Sequence, residues 1–297
     1  MVRYDIDESE LEQRIEVEKP GWLLRAAERT DGFRAAGEYG ESGGIWSEVK
    51  GAYMAIQHNK CAFCERELEG EAFGKIEHDV EHYRPKRNAR GWPTDAIKEA
   101  RAIGFDFPRG DELPEGYFLL AYHPLNYITA CKACNSALKS DYFPVAAARI
   151  SGMDHPRDYR GEEPYLPYPL GSGDIDPERI FTFEGIIPIP VNRSGKKHRR
   201  ALVTIAFFEL ATRETLLRQR ADLIVSFSRA YADSVEGRTA RIRARGQKDV
   251  ERMTEVTSPH ANCLRAFRRV CESDPDRANT ILDAVYAYLD ALGGDGH

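Results

Sequence analysis

Apolar and polar residues follow one another in blocks that predict a mostly helical protein with a few short strands. Apolar residues at helical spacing predict helices over 8–30 and 45–58, with a Gly- and Ser-rich loop at 37–44 between them. From Lys196 onward the apolar spacing is again helical, and it stays so to the C-terminus. The expected fold class is therefore α+β, with helices predominating.

The middle of the chain carries shorter periodic segments. KIEHDVEHY predicts a strand that Pro85 ends, because proline cannot donate to a strand ladder. YFLLAYHPLNYITA predicts a short helix or turn that leads into CKACNSALKS, the start of another helix. Residues 87–116 are rich in Pro and Gly and predict an irregular insertion.

Three parts of the chain follow from these patterns. We expect an N-terminal helical segment at 1–55 and a core at 56–145. A C-terminal part at 146–297 should begin with an extended, Pro- and Gly-rich segment containing short strands and continue as helices.

Composition excludes a disordered chain and a membrane-spanning one. Of the 297 residues, 42% are hydrophobic and 30% charged, which is enough apolar material for a core. The longest apolar runs fall well short of the roughly 20 residues that span a bilayer. The acidic, polar N-terminus is unlike a secretory signal, so we expect a cytoplasmic protein.

One segment stands out by charge. The chain carries a net charge of -6, yet residues 193–245 contain 13 basic and five acidic side chains. Such a segment is a candidate footprint for a polyanion. The alternative is a set of ordinary solvated helix faces.

Four of the six cysteines form two Cys-x-x-Cys pairs, Cys61/Cys64 and Cys131/Cys134. In a reducing compartment such pairs indicate a metal site before a disulfide framework. Four thiolates can hold a tetrahedral Zn²⁺ with no position left for water, so this zinc would be structural. The remaining two, Cys263 and Cys271, lie eight residues apart in a helical pattern and are expected to be buried thiols.

Between the two pairs lies VEHYRPK, which joins a carboxylate to an imidazole at a strand end. Glu81 could hold a hard cation such as Mg²⁺, and His82 could take a proton from water near neutral pH. An isolated Glu-His pair carries little weight, since most are surface ion pairs. Here Asn126, Asn135 and Lys139 follow in order, with Asn135 directly after the second cysteine pair.

The order Cys-x-x-Cys, acidic-His, Asn, Cys-x-x-Cys-Asn, Lys resembles the HNH (ββα-metal) endonucleases. A finer likeness extends over CAFCE, VEHYRPK, LAYHPLNYITACKACNSALKSDYFP, EEPYLPYPL, IFTFEGIIPIP and HRRALVTIAFFEL. Together these segments resemble the HNH nucleases of Septu and retron-associated phage-defence systems. The likeness runs from about Cys61 to Arg220 and is looser toward its C-terminal end.

The resemblance implies roles for particular residues. His82 matches the general base, and Glu81 and Asn135 match the ligands of a catalytic Mg²⁺ or Mn²⁺. Asn126 matches the family's middle asparagine, which orients the loop and the catalytic histidine. The phosphate contacts would come from Arg84, Lys86 and Lys139. Because His78-Asp79 precedes the motif, Asp79 rather than Glu81 remains an alternative metal carboxylate.

The fold implied is a helical chain around a zinc-stabilised ββα-metal core, and the activity implied is phosphodiester hydrolysis. Nucleic acid would be the substrate, with DNA expected first and RNA, including tRNA, as the alternative. The related systems pair such a nuclease with an ATPase. The chain itself contains no Gly-x-x-x-x-Gly-Lys-Ser/Thr loop.

Two other functions fit parts of the pattern. A non-catalytic, zinc-stabilised binding module would account for the cysteines and the basic segment, but it would leave the ordered Glu, His and Asn residues to coincidence. A redox enzyme would need one Cys-x-x-Cys pair beside a βαβ pattern, and the sequence offers no such pattern.

Overall fold

The computed structural model describes residues 1–294, and for Glu71, Ala72 and Gly294 it describes the backbone alone. The α-helices of this part of the chain are α1 (Glu8–Glu18), α2 (Trp22–Ala36), α3 (Lys50–Ile56), α4 (Glu71–Glu77), α5 (Asp95–Ala100), α6 (Gly195–Phe207), α7 (Glu214–Glu236), α8 (Ala240–Thr254), α9 (Ala261–Ser273) and α10 (Pro275–Gly294). The strands form two antiparallel pairs, β1 (His78–His82) with β2 (Tyr127–Cys131) and β3 (Phe181–Glu184) with β4 (Ile187–Pro190).

Shorter helical turns connect these elements. Single 3₁₀ segments occupy Trp46–Val49, Phe118–Leu120, Pro124–Asn126, Pro156–Glu162 and Pro177–Arg179, and a π-helical segment occupies Ala133–Lys139. The fold is the helix-dominated α+β mixture expected from the sequence. None of the described helices combines the length and the apolar composition that crossing a membrane requires.

The chain divides into two compact units. The β1–β2 unit consists of Arg3–Phe63 and Leu68–Asp176. The β3–β4 unit consists of Met1–Val2, Cys64–Glu67 and, within the described part of the chain, residues 177–294.

The helix predicted over 8–30 is in fact two helices, α1 and α2. Pro20 has no amide hydrogen to donate, and Gly21 adopts a φ of 75° that a right-handed helix cannot contain. α1 begins where the Asp7 carboxylate accepts a hydrogen bond from the backbone N–H of Glu10 at 2.8 Å.

Two further local predictions change in detail. The strand predicted from KIEHDVEHY begins only at His78, because its first residues complete α4. The segment 87–116, predicted as irregular, contains the short helix α5, which Thr94 caps through its hydroxyl. The Pro and Gly residues dominate the sequence pattern of this segment, so the helix start signal of one capping residue does not stand out.

β2 forms the centre of the β1–β2 unit, and all five of its residues are buried. On one edge it pairs with β1 in a register that sets His78 opposite Cys131 and His82 opposite Tyr127. On its other edge the side-chain amide of Gln57 makes the hydrogen bonds that a neighbouring strand would make at Thr129. It donates to the carbonyl of Thr129 at 2.8 Å and accepts from the Thr129 N–H at 2.7 Å. At Thr129 the backbone is therefore satisfied without a third strand.

The β3–β4 unit is built on helix packing. α7 and α8 approach closely at Gly246, where an added Cβ would lie 2.5 Å from the backbone N of Ser234. Only glycine permits this contact. Arg220 of α7 is 1% exposed and donates to the carbonyl oxygens of Ile186 and Leu210, at 3.1 and 2.6 Å. A side chain expected at the surface thus connects the β3–β4 turn region to the helices.

The β1–β2 unit also contains a buried ion pair just after β1. The Arg84 guanidinium bonds to the Glu162 carboxylate and lies 4.9–5.1 Å from the ring centroids of Tyr117, Phe143 and Tyr159. Glu162 also accepts from the Tyr117 hydroxyl at 2.9 Å. Both charges are therefore paired and hydrogen-bonded, as burial requires.

We predict that Glu162→Gln destabilises the fold by about 3–5 kcal/mol, because it leaves the buried Arg84 charge without a counterion. Urea unfolding of the full chain measures this. The exposed Glu115→Gln serves as the control and should change the free energy of unfolding by less than about 0.5 kcal/mol. Equal stability of the two variants would show that the pair is not needed to hold the loop after β1.

Candidate functional site: a four-cysteine cluster beside a carboxylate–histidine strand

The sulfur atoms of Cys61, Cys64, Cys131 and Cys134 lie within 4.8 Å of one another, and all four side chains are buried. Cys131 is the last residue of β2 and Cys134 lies in the π-helical segment that follows, so these two cysteines come from one turn of the chain. The backbone N–H of Ala62, inside the other cysteine pair, donates to the Thr129 carbonyl at 3.0 Å. This buried group could hold a metal such as zinc, because tetrahedral Zn²⁺ accepts four thiolates at about 2.3 Å each.

Alternation along β1 gives its two faces different chemistry. Asp79 and Glu81 are two residues apart and lie on the same face. Both contact the π-helical segment. Asp79 accepts from the Asn135 amide at 3.2 Å, and Glu81 forms an ion pair with Lys139. The amide predicted to share a cation with Glu81 therefore has Asp79 as its hydrogen-bond partner.

Glu81 is a buried carboxylate, 5% exposed. Burial raises its pKa, and the ammonium of Lys139 opposes that rise. Asp79 is more accessible, and its side chain also pairs with Lys132 at 3.1 Å. The two carboxylates thus differ in solvation while facing the same segment.

The other face of β1 carries His82 at the end of the strand. Its Nε2 lies 3.1 Å from the carbonyl oxygen of Ala121. Since a carbonyl can only accept, Nε2 carries the hydrogen, and in the neutral ring Nδ1 holds the lone pair. Burial first, and then the charge of Lys86, hold the pKa of His82 well below its usual value. The imidazole is consequently neutral at neutral pH, with Nδ1 as its basic atom.

Asn126 lies in the interior and does not face the carboxylates. Its Oδ1 accepts from the Arg84 N–H at 2.9 Å, while its Nδ2 donates to the carbonyl oxygens of Arg84 and Leu120 at 3.0 and 3.1 Å. These bonds join the backbone just after β1 to the turn that precedes β2. That turn includes Ala121, which holds the His82 ring.

The three predicted phosphate contacts fall in different environments. Arg84 has the buried carboxylate of Glu162 as its partner, so its guanidinium is bonded within the interior. Lys139 is fully buried, where it pairs with Glu81 and donates to the carbonyl of His82 at 3.0 Å. Only Lys86 of the three is partly accessible, and burial lowers its pKa to about 8.

A second group of metal-type side chains lies elsewhere in the β1–β2 unit, where Glu8, His123 and His155 converge. Each imidazole accepts a backbone N–H at its Nδ1, His123 at 3.1 Å and His155 at 3.0 Å. In the neutral rings the hydrogen must then sit on Nε2, which faces Glu8. A cation bound at Nε2 would move the ring hydrogen to Nδ1, which could then no longer accept the backbone N–H. The geometry therefore favours hydrogen bonding to Glu8 over metal binding.

Two residues of the site region escaped the sequence analysis. Gln57 accepts a hydrogen bond from the Thr129 N–H at the edge of β2, and Trp46 contacts His82 with ring centroids 5.0 Å apart. Neither belongs to a motif. A glutamine at the end of an apolar helix and a tryptophan after a glycine-rich loop give no sign of their long-range partners.

Comparison with known proteins identifies a relative of this chain at low sequence identity. The chain is similar to a protein of a bacterial Septu system. That protein, Septu protein PtuB of Bacillus mycoides (strain KBAB4), is 24% identical over 232 residues, which cover 77% of this chain and 70% of the relative. No family model matches the chain. No solved structure matches it either.

We predict that the purified chain carries about one zinc ion and that Cys134→Ser loses it together with much of its stability, because a four-thiolate site contributes directly to folding. Elemental analysis and thermal unfolding provide the two measurements. Cys271→Ala, which removes a buried thiol outside the cluster, should retain the zinc. A folded, zinc-free wild-type protein after mild chelation would refute the zinc assignment.

Proposed function

We propose that this chain is a metal-dependent HNH-type endonuclease that hydrolyses phosphodiester bonds of nucleic acid. The observation that carries the proposal is the state of His82 at the end of β1. Its Nε2 is committed to the Ala121 carbonyl, so the neutral ring presents Nδ1 as a base directly beside Glu81 in the chain. The similarity to Septu protein PtuB and the HNH-like order of residues support the same conclusion.

The residues beside His82 fit a hard divalent cation. Carboxylate and amide oxygens are the ligands that Mg²⁺ and Mn²⁺ prefer, and Glu81, Asp79 and Asn135 offer them along one side of β1. We assign the cation to Glu81 and Asn135, with Asp79 as the alternative carboxylate. When bound, the cation supplies positive charge to the scissile phosphate and the leaving oxygen.

The chain's own groups account for the remaining steps. His82 accepts a proton from water at Nδ1, and the resulting hydroxide attacks the phosphorus in line with the leaving 3′-oxygen. The products carry 5′-phosphate and 3′-hydroxyl ends. Asn126 keeps the Ala121 turn and the end of β1 in register, so that the ring keeps its orientation. Lys86 binds a phosphate, and Lys139 balances the buried charge of Glu81.

A defence role and a protein partner complete the proposal. Septu systems are associated with defence against phage, and we infer that this chain is the nuclease of such a system, controlled by an ATPase partner. Control is expected because unrestrained cleavage of DNA or tRNA would harm the cell. The alternative function is a zinc-stabilised binding module without catalysis, which the buried cysteine cluster alone would also fit.

We predict that His82→Ala lowers Mg²⁺-dependent cleavage by at least about 100-fold, because it removes the general base. Plasmid DNA, single-stranded DNA and tRNA are the substrates, each tested with and without a co-expressed ATPase partner. The variant should remain folded with its zinc content unchanged, and His198→Ala in α6 should cleave like wild type. Wild-type rates in His82→Ala would end the assignment. Binding without any cleavage by wild type would favour the binding module.

We predict different metal requirements for the two carboxylate variants. Glu81→Gln should raise the Mg²⁺ concentration for half-maximal cleavage by more than about 100-fold. Asp79→Asn, which changes a neighbour of the proposed ligand Asn135 rather than a proposed ligand, should raise it by about 10–100-fold. Mg²⁺ titrations of the cleavage rate measure both values. The folded fraction is measured alongside, since Glu81→Gln also leaves Lys139 without its partner. The reverse order would move the metal carboxylate to Asp79.

A further inference from the structure

The glycine-rich segment 37–46, here called the Trp46 loop, is firmly attached to α2. Arg29 donates to the carbonyl of Gly43 at 3.0 Å, and the indole N–H of Trp22 donates to the carbonyl of Ile45 at 3.0 Å. These two bonds lie on either side of Gly44 and fix the path of the loop there. Its end, where the side chain of the last residue projects, therefore has a defined position.

That side chain meets two groups of the proposed site. The ring of Trp46 packs edge-to-face on His82, with centroids 5.0 Å apart and an interplanar angle of 79°. The Lys86 ammonium lies 4.2 Å from the centroid of the Trp46 ring and 5.5 Å from that of Tyr39. An aromatic face attracts a cation at these distances. One indole thus contacts both the proposed base and the proposed phosphate-binding lysine.

We propose that Trp46 is a positioning residue of this site, one that sets the orientation of His82 and holds Lys86 beside it. The inference rests on the proposed nuclease function. The hydrogen bond from Nε2 to the Ala121 carbonyl fixes one axis of the imidazole but leaves rotation about that axis. The Trp46 ring limits this rotation from one side, and Tyr127, whose ring centroid is 5.1 Å from that of His82, limits it further.

The loop offers a way to move Trp46 without changing it. A Cβ added at Gly44 would lie 1.8 Å from Cζ3 of the indole, so Gly44→Ala must displace the ring. At the neighbouring Gly43, an added Cβ meets nothing within 4 Å. Gly43→Ala is therefore a matched control that makes the same chemical change in the same loop.

The experiment compares wild type, Gly43→Ala, Gly44→Ala, Trp46→Phe and Trp46→Leu as full-length chains. The first readout is the single-turnover cleavage rate constant at saturating enzyme, in the condition under which wild type cleaves. This constant is insensitive to the fraction of unfolded enzyme. We expect it to fall about 10–100-fold in Gly44→Ala and Trp46→Leu, and by less than about 5-fold in Trp46→Phe, because small misplacements of a base have large kinetic effects. Gly43→Ala should match wild type.

The second readout does not depend on activity. The ring protons of His82, identified by the signal that disappears in His82→Gln, lie in the ring current of Trp46 in a histidine-labelled NMR spectrum. These signals should shift in Gly44→Ala and Trp46→Leu and stay in place in Gly43→Ala. Wild-type rate constants in both displaced variants, or unmoved His82 signals, would overturn the positioning role.

The two readouts also separate this inference from the function on which it rests. If wild type cleaves none of the substrates with or without a partner, the proposed nuclease function fails. The NMR comparison then decides alone whether Trp46 contacts His82 as the positioning role requires. A shift in the displaced variants supports the orienting contact, and its absence overturns it.

Discussion

The antiparallel pairing of β1 with β2 is the contact on which the candidate site depends. Each strand is five residues long, and a pair this short has little stability by itself. The structure reinforces it at both ends. At the Cys131 end, the four cysteines gather around the strand. At the His82 end, the side chain of Asn126 bonds to backbone on both sides of the turn. Gln57 closes the free edge between them.

Because the strand period is two residues, this pairing also separates the chemistry of the site into two faces. Acidic groups and the π-helical segment lie on one face, and the imidazole with its aromatic neighbours lies on the other. His82 sits at the last position of β1, where the chain leaves the ladder, and directly follows Glu81 of the other face. A shift of one residue in register would exchange the faces and bury the carboxylates among aromatic rings.

Much of this site could be predicted from the sequence where local spacing carries the information. Two Cys-x-x-Cys pairs predict a cluster of four thiolates, and in the structure their sulfur atoms lie close together as expected. Long helices with periodic apolar residues, such as α7, could be predicted from the sequence in the same way. By contrast, the interior partner of Arg84 lies far along the chain at Glu162, and no periodicity links the two positions. The sequence therefore predicts a phosphate contact for Arg84 but gives no sign of its interior carboxylate partner.

The N-terminal segment shows that residues outside the motif contact the residues that carry it. Residues 1–55 were predicted as a helical part separate from the motif-bearing residues that follow. Yet the hydroxyl of Tyr53 donates to the carbonyl of Pro124 at 2.8 Å, just before β2, and Trp46 contacts His82. Both belong to the same compact unit as the strands. The motif supplies the reactive groups, but their orientation comes from residues that precede it. A chain beginning at residue 56 would therefore keep every predicted site residue and lose part of what holds His82 in place.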